Sequence, residues 1–226
     1  MTTSGSTDFE LAVDDYIEEA FERCGLEVRT GYDLRTAKRS LNLLFADWAN
    51  RGLNRWTITQ TSITLSQGTT EYTLAADTID ILSAVIRENA GSSNQLDVTV
   101  NRIGRDTYLN LSSKLSQGKP TQYYVDRQIT PKFRVFPTPN ATYTLVVDRL
   151  TRIEDADSAT NTVDVPFRFY PCLAAGLAYY ISMKRAPDRI QLLKASYEEE
   201  FERALAEDRD RASFNVTPNL NFYRVS

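Results

Sequence analysis

KPTQYYVDRQITPKFRVFPTPNATYTLVVDRL, residues 119–150, reads as three short strands and decides the fold. Gln122–Asp126 supplies Tyr123, Tyr124 and Val125. Lys132–Phe136 sets Phe133 and Val135 against Lys132 and Arg134, and residues 143–150 set Tyr143, Leu145 and Val147 against Thr144, Val146 and Asp148. Period-two alternation of β-branched and aromatic side chains suits a pleated strand with one face buried. Pro131, Pro137, Pro139 and Asn140 mark the turns, because such residues preset φ or tolerate tight bends. The run predicts a meander, and helical patterns stand on both sides of it. The expected class is therefore α+β: a helical bundle built from both chain ends, carrying an inserted antiparallel β-sandwich or barrel-like module.

Working upstream, residues 56–65 alternate Ile58, Ile63 and Leu65 with Thr and Gln, Gly68 marks a turn, and residues 72–74, 79–87 and 96–100 add further strands. Residues 105–115 read as a short helix with Tyr108, Leu109 and Leu115 packed beneath the sheet. Residues 1–6 read as a flexible lead-in. Thr7 with Glu10 fits a capping box ahead of the stripe Val13, Ile17, Ala20, Phe21 and Cys24, which Gly25 stops. Asp33 then caps a second helix with the stripe Leu34, Ala37, Leu41, Leu44, Phe45 and Trp48, ended by Gly52. Arg35, Lys38 and Arg39 lie off that stripe, as a solvated or intersubunit face or, alternatively, a phosphate contact. Trp48 and Trp56 read as core anchors at the junction with the β region.

Downstream, residues 151–164 form an acidic, Ser/Thr-rich connector, whose Glu154, Asp155 and Asp157 lack the glycine and terminal glutamate of a calcium loop. Pro166 and Pro171 suit helix starts. Leu173, Leu177, Tyr180 and Ile181 form the buried stripe of the next helix, and Gly176 permits close packing. Pro187 and Asp188 separate it from a last helix carrying Ile190, Leu193, Tyr197, Phe201 and Leu205. Glu199 with Arg203 and Glu207 with Arg211 stand at the i,i+4 spacing of exposed helices. The boundaries are 1–54 for the N-terminal helices, 55–164 for the β-module, 165–211 for the C-terminal helices and 212–226 for a docking tail.

Gly118-Lys119-Pro120, Tyr124, the Phe136-Pro137-x-Pro139 corner, Asp148-Arg149-Leu150 and the later Val165-Pro166 follow one another in a familiar order. In this order, and in the helices on either side, the chain resembles the adaptor proteins of short-tailed phages, the family of tail tubular protein A and the packaged-DNA stabilisation protein. The resemblance implies a structural virion protein at the head–tail interface, assembled in the host cytoplasm. It implies a twelve-fold ring beneath the portal protein that retains packaged DNA and recruits the tail tube or nozzle. Its motifs are structural, so it carries over no catalytic, cofactor or metal-binding residues.

Composition narrows the chemistry. With 42% hydrophobic and 25% charged residues, 226 residues suffice for a substantial core in a soluble globular protein. No apolar run approaches the ~20 residues that span a bilayer, and MTTSGSTDFE is unlike a secretion signal. Cys24 and Cys172 stand in apolar helical patterns, as buried small hydrophobes rather than a disulfide or metal pair. There is no histidine, which excludes Ser-His-Asp and Cys-His nucleophiles, histidine zinc ligands and an imidazole base. The net charge of −4 argues against a broad nucleic-acid-binding face, while mild negative charge suits a channel through which DNA passes as cargo.

Two functional readings remain at this level. In the first, the protein works by contact, and the tail ASFNVTPNLNFYRVS is a docking arm ordered by a neighbour. Phe214, Phe222 and Tyr223 are its aromatic anchors, Pro218 forbids a continuous helix, and Arg224 is the accompanying charge. In the second, the protein binds carbohydrate or degrades cell wall with paired carboxylates, and Tyr123, Tyr124 and Tyr143 form a sugar platform instead of packing within the sheet. No carboxylate pair stands out by its spacing.

Overall fold

The computed structural model describes residues 5–6, 9–52 and 55–208. In chain order the elements are α1 (Val13–Arg23), α2 (Gly31–Arg51), β1 (Ile58–Leu65), β2 (Glu71–Thr73), β3 (Thr78–Glu88), β4 (Leu96–Thr99), β5 (Asn101–Arg102) and α3 (Arg105–Leu109). They continue with β6 (Gln117–Gly118), β7 (Gln122–Asp126), β8 (Lys132–Phe136), β9 (Thr138–Pro139), β10 (Tyr143–Thr151), α4 (Tyr170–Arg185) and α5 (Ile190–Glu207). The class is α+β, with helices from both ends flanking the strands.

The strands of residues 119–150 form where the alternation places them, yet they do not make one meander. β7 and β8 pair antiparallel in a sheet ordered β2-β8-β7-β5, whereas β10 sits inside a second sheet ordered β1-β10-β3-β4. Pro137 and Pro139 explain the break. Proline has no amide proton to extend the ladder, and at this corner the chain crosses to the other sheet, pairing briefly with β6. The inward residues then meet across the gap. Leu65, Ile81, Ala84, Ile86, Leu145 and Val147 from one sheet share a buried cluster with Tyr123, Val125, Phe133 and Val135 from the other. This is a sandwich, not a barrel. Its pairs are antiparallel except β5 with β7 and β6 with β9.

The predicted helix at 105–115 is shorter than expected. α3 stops at Leu109, where Lys114 Nζ donates to the Leu109 and Leu111 carbonyls at 2.9 and 3.0 Å and so satisfies the helix end. A helix of five residues buries one side only. Tyr108 is buried and stacks on Tyr124 at 5.5 Å, whereas Leu109 and Leu115 are 62% and 79% exposed and do not pack beneath the sheet.

A second buried cluster belongs to the helices, and α4 lies at its centre, touching α1, α2 and α5. The sequence YPCLAAGLAYYISMKR is apolar or small nearly all round, as a helix packed on every side requires. Cys172, Ala174, Ala175 and Ala178 are buried along with Leu173, Leu177 and Ile181, while Tyr180 of the expected stripe is only partly covered. Gly176 is the tightest point: a Cβ there would lie 2.9 Å from both Leu44 Cδ2 and Tyr197 Cε2. Trp48 is fully buried against Phe45, Phe169 and Phe201. Trp56 packs on Phe169 with centroids 4.5 Å apart and the rings tilted by 52°. Ile153, Ala156 and Val165 also enter this core, so much of the connector packs on the helices.

The helix starts differ from the sequence expectation. α1 begins at Val13, and Thr7 lies outside the described residues. Its first amides are satisfied from far along the chain: Val13 donates to the Asn161 carbonyl and Asp14 to the Ala159 carbonyl, each at 3.0 Å. The Asp15 carboxylate accepts the Ala12 amide at 2.9 Å. The cap of α2 is Thr30, not Asp33. The Asp33 amide donates to Thr30 Oγ1 at 3.3 Å, and the Asp33 carboxylate accepts the Thr30 amide at 3.2 Å, a reciprocal box with Asp33 at its third position. Gly25, at φ 70°, stops α1 as expected.

Candidate interaction surfaces

The predicted docking residues Phe214, Pro218, Phe222, Tyr223 and Arg224 lie outside the described residues. The point from which the chain departs toward them is fixed. Asp208, after the last turn of α5, is buried, pairs with Arg168 and accepts the Arg55 amide at 3.1 Å. Those two partners adjoin Trp56 and Phe169 in sequence, whose rings pack together.

The basic residues of α2 divide into two kinds. Lys38 is spent within the chain: its Nζ donates to the Asp157 carbonyl at 3.0 Å and pins the acidic connector. Asn42, one turn on, accepts the Ala156 amide at 2.9 Å, and Asn161 Nδ2 donates to Asp157 Oδ1 at 2.8 Å. Sequence reasoning missed this role of Asn42, whose only signal was a polar residue bordering an apolar stripe. Arg35 and Arg39 remain exposed. Beside them Lys184 donates to Ser40 Oγ at 2.7 Å, and its amine is held below its ordinary pKa by burial and then by the Arg39 charge. Arg185 pairs with Asp33 at 2.6 Å and lies over the ring of exposed Tyr32, 5.9 Å from its centroid. This end of the helical core is positively charged in a chain of net charge −4.

Four acids are held below their ordinary pKa by their partners. Asp33 is shifted down by the Thr30 hydroxyl, Glu71 by Lys132 and Arg134, Asp97 by Arg87 and Glu198 by Arg51. A glycosidase acid needs the opposite shift. Two clefts open where the cores meet. One of about 360 Å³ is lined by Asn42, Phe45, Ile79, Arg127 and Arg152, with Asp155 its only carboxylate. Another of about 650 Å³ gathers Asp77, Glu154, Asp155 and Asp164 beside Arg149 and Arg152, and Arg149 holds Asp77 at 3.1 Å. Among the described residues, no group of three or more His, Cys, Asp or Glu side chains is placed to hold a metal ion.

The tyrosines do not make a sugar platform. Tyr123 stacks on Phe133 at 5.2 Å inside the sandwich, Tyr124 is buried under Tyr108, and only Tyr143 is half-exposed, its hydroxyl donating to Asn140 Oδ1 at 2.7 Å. Cys24 and Cys172 are free and buried, and burial pushes both thiols up. Among the described residues, no helix is long and apolar enough to cross a membrane.

The helical core and the sandwich each bury their own apolar cluster, and the outward faces of α2 and α5 are rich in charge. The chain belongs to the SU10 adaptor protein family, whose model matches residues 9–220. It is thus a phage adaptor, a structural component of virion assembly that meets other phage structural proteins. A search among curated proteins finds no match to it.

Proposed function

We propose that the protein is a ring-forming head-to-tail adaptor, of the line of tail tubular protein A and the packaged-DNA stabilisation protein. Twelve copies bind beneath the portal protein, retain packaged DNA and recruit the tail nozzle or tube. The ring assembles in the host cytoplasm and stays at the head–tail interface, with DNA only as cargo in its channel. The observation that carries this reading is the match to the adaptor family across residues 9–220, which takes in both cores. The helical core and the β-module are separable units, joined through the connector, and the arm at 212–226 docks on a neighbouring subunit or the portal. The protein needs no cofactor and catalyses no reaction; the downward-shifted carboxylates and the buried Tyr123 and Tyr124 support a non-enzymatic role.

The test is assembly. Purified protein mixed with portal rings should co-sediment with them, and electron microscopy should show an added ring of density on the tail-facing end. Protein that neither joins the portal nor any tail component, or that hydrolyses cell-wall glycan with a single essential Asp or Glu, would overturn the reading.

A further inference from the structure

We propose that the exposed faces of α2 and α5 mate antiparallel between two copies of this chain, Arg35 and Arg39 of one copy meeting Glu202 and Glu199 of the next. This rests on the ring reading above and names the contact that would build the ring.

Two stripes carry the inference. Along α2 the outward positions Tyr32, Arg35, Arg39, Leu43 and Ala46 recur every three or four residues and so lie on one face. Tyr32 and Leu43 are 61% and 53% exposed, and among the described residues neither Arg35 nor Arg39 has a carboxylate partner. Lys184 crowds Arg39 further. Along α5 the outward positions are Leu192, Ala195, Glu199, Glu202 and Ala206, with the same spacing. Leu192 is 72% exposed, and Glu202 has no cation partner among the described residues. Glu199 is held only by Arg203, one turn away, in a pair whose side chains are both 64% exposed. Such a surface pair contributes little and yields readily.

Laid antiparallel, the stripes match in kind at every step. Leu43 falls against Ala195 and Leu192, Arg39 against Glu199, Arg35 against Glu202 and Tyr32 against Ala206. Laid parallel with the same ion pairs, Arg35 against Glu199 and Arg39 against Glu202, the exposed Leu192 falls beyond the start of α2, beside Arg29, and Leu43 meets only Ala206. Within one copy the two helices already meet by other residues, Trp48 and Arg51 with Tyr197 and Glu198, so the stripes are left for a neighbour. A contact between two different faces of the same chain is head-to-tail, the kind that closes into rings. Leu43 and Tyr32 argue for a protein occupant over a duplex, since phosphates leave apolar side chains in water.

The test uses two variants that each add one exposed cysteine, Leu43→Cys and Ala195→Cys, while the native thiols Cys24 and Cys172 stay buried. Mixed under mild oxidation, they should form a heterodimeric disulfide. Adding Arg35→Glu with Arg39→Glu to the first should abolish it, and giving the second Glu199→Arg with Glu202→Arg should restore it. Circular dichroism confirms that each variant folds. Wild-type protein that self-associates in sedimentation, with no mixed cross-link, overturns this contact and leaves the ring reading standing. Protein that neither self-associates nor cross-links overturns both. A cross-link indifferent to charge reversal also overturns the inference. Duplex DNA binding that reversal destroys, with no cross-link, would assign the α2 face to nucleic acid.

Discussion

The Trp48 indole N–H donates to the Tyr197 hydroxyl across 2.9 Å, joining residues 149 positions apart in the chain. Both side chains are fully buried. The Tyr197 hydroxyl in turn donates to Asp47 Oδ2 at 3.3 Å, while Arg51 binds Asp47 and Glu198 and lies 5.0 Å over the Tyr197 ring. Burial pushes the Tyr197 phenol well above its ordinary range, so it stays a neutral donor and acceptor. One polar seam thus fastens the first half of the helical core to the second.

Tyr197→Phe tests that seam. The ring packing survives, but the Trp48 N–H is left without a partner in a dry core, which costs about 1–3 kcal/mol. The midpoint of urea unfolding should fall accordingly, with the far-ultraviolet spectrum unchanged. Adding Trp48→Phe should cost less than the sum of the single changes, because the unpaired donor disappears with it.

Gly176→Ala sets two effects against each other. Helix propensity favours alanine by about 1 kcal/mol. The new methyl, however, meets Leu44 and Tyr197 at 2.9 Å, and Tyr197 is pinned by Trp48 and Asp47 and cannot retreat freely. Overpacking of this kind costs about 1–3 kcal/mol, so packing should win and unfolding should come at lower denaturant. An unchanged or higher midpoint would mean that α4 shifts to make room.

The pH profile follows from signs. Asp33, Glu71, Asp97 and Glu198 have folded pKa values below their ordinary 3.8 or 4.5. Their contribution is complete above the unfolded values and is lost as pH falls through the folded ones, so thermal stability should decline below about pH 4. Cys24, Tyr72, Tyr123 and Tyr180 are shifted up from 9.0 or 10.0, and their contribution is lost as pH rises past those unfolded values. With no histidine, the melting temperature should be flat between about pH 5 and 8. A step near pH 6.5 would contradict this, and Glu198→Gln should reduce the acid-side slope.

Truncation after Arg211 tests the docking arm. Asp208, the last of the described residues, is held in place by Arg168 and Arg55, so the shortened chain should keep its circular dichroism and melting temperature. Binding to portal should be lost. A truncated protein that binds portal at full strength, or that unfolds, would show that residues 212–226 are no docking arm.

The strands and helices were legible because alternation and helical spacing report burial directly, as Phe133 and Val135 or Leu41 and Leu44 show. Sheet membership was not. Nothing local says that β10 pairs with β1 and β3 instead of β8, because that depends on which partners the Pro137 corner brings within reach. The start of α1 was misplaced for a related reason: its amides are satisfied by carbonyls of Asn161 and Ala159, which carry no side-chain signature. The same holds for the candidate surfaces. Lys38 looked like Arg35 and Arg39 in the sequence, and only the folded connector separates them.

The capping of α1 by that connector has a consequence for synthesis. A ribosome delivers Val13 and Asp14 long before Ala159 and Asn161, so the first helix made is among the last to be secured. The sandwich, whose strands are complete at Thr151, has every partner it needs while α4 and α5 are still to come. The sandwich can therefore close before the helical core, although α1 and α2 are translated ahead of it. Through that interval the apolar stripes of α1 and α2 wait uncovered, and a stall between Thr151 and Tyr170 would strand the nascent chain in its most aggregation-prone form.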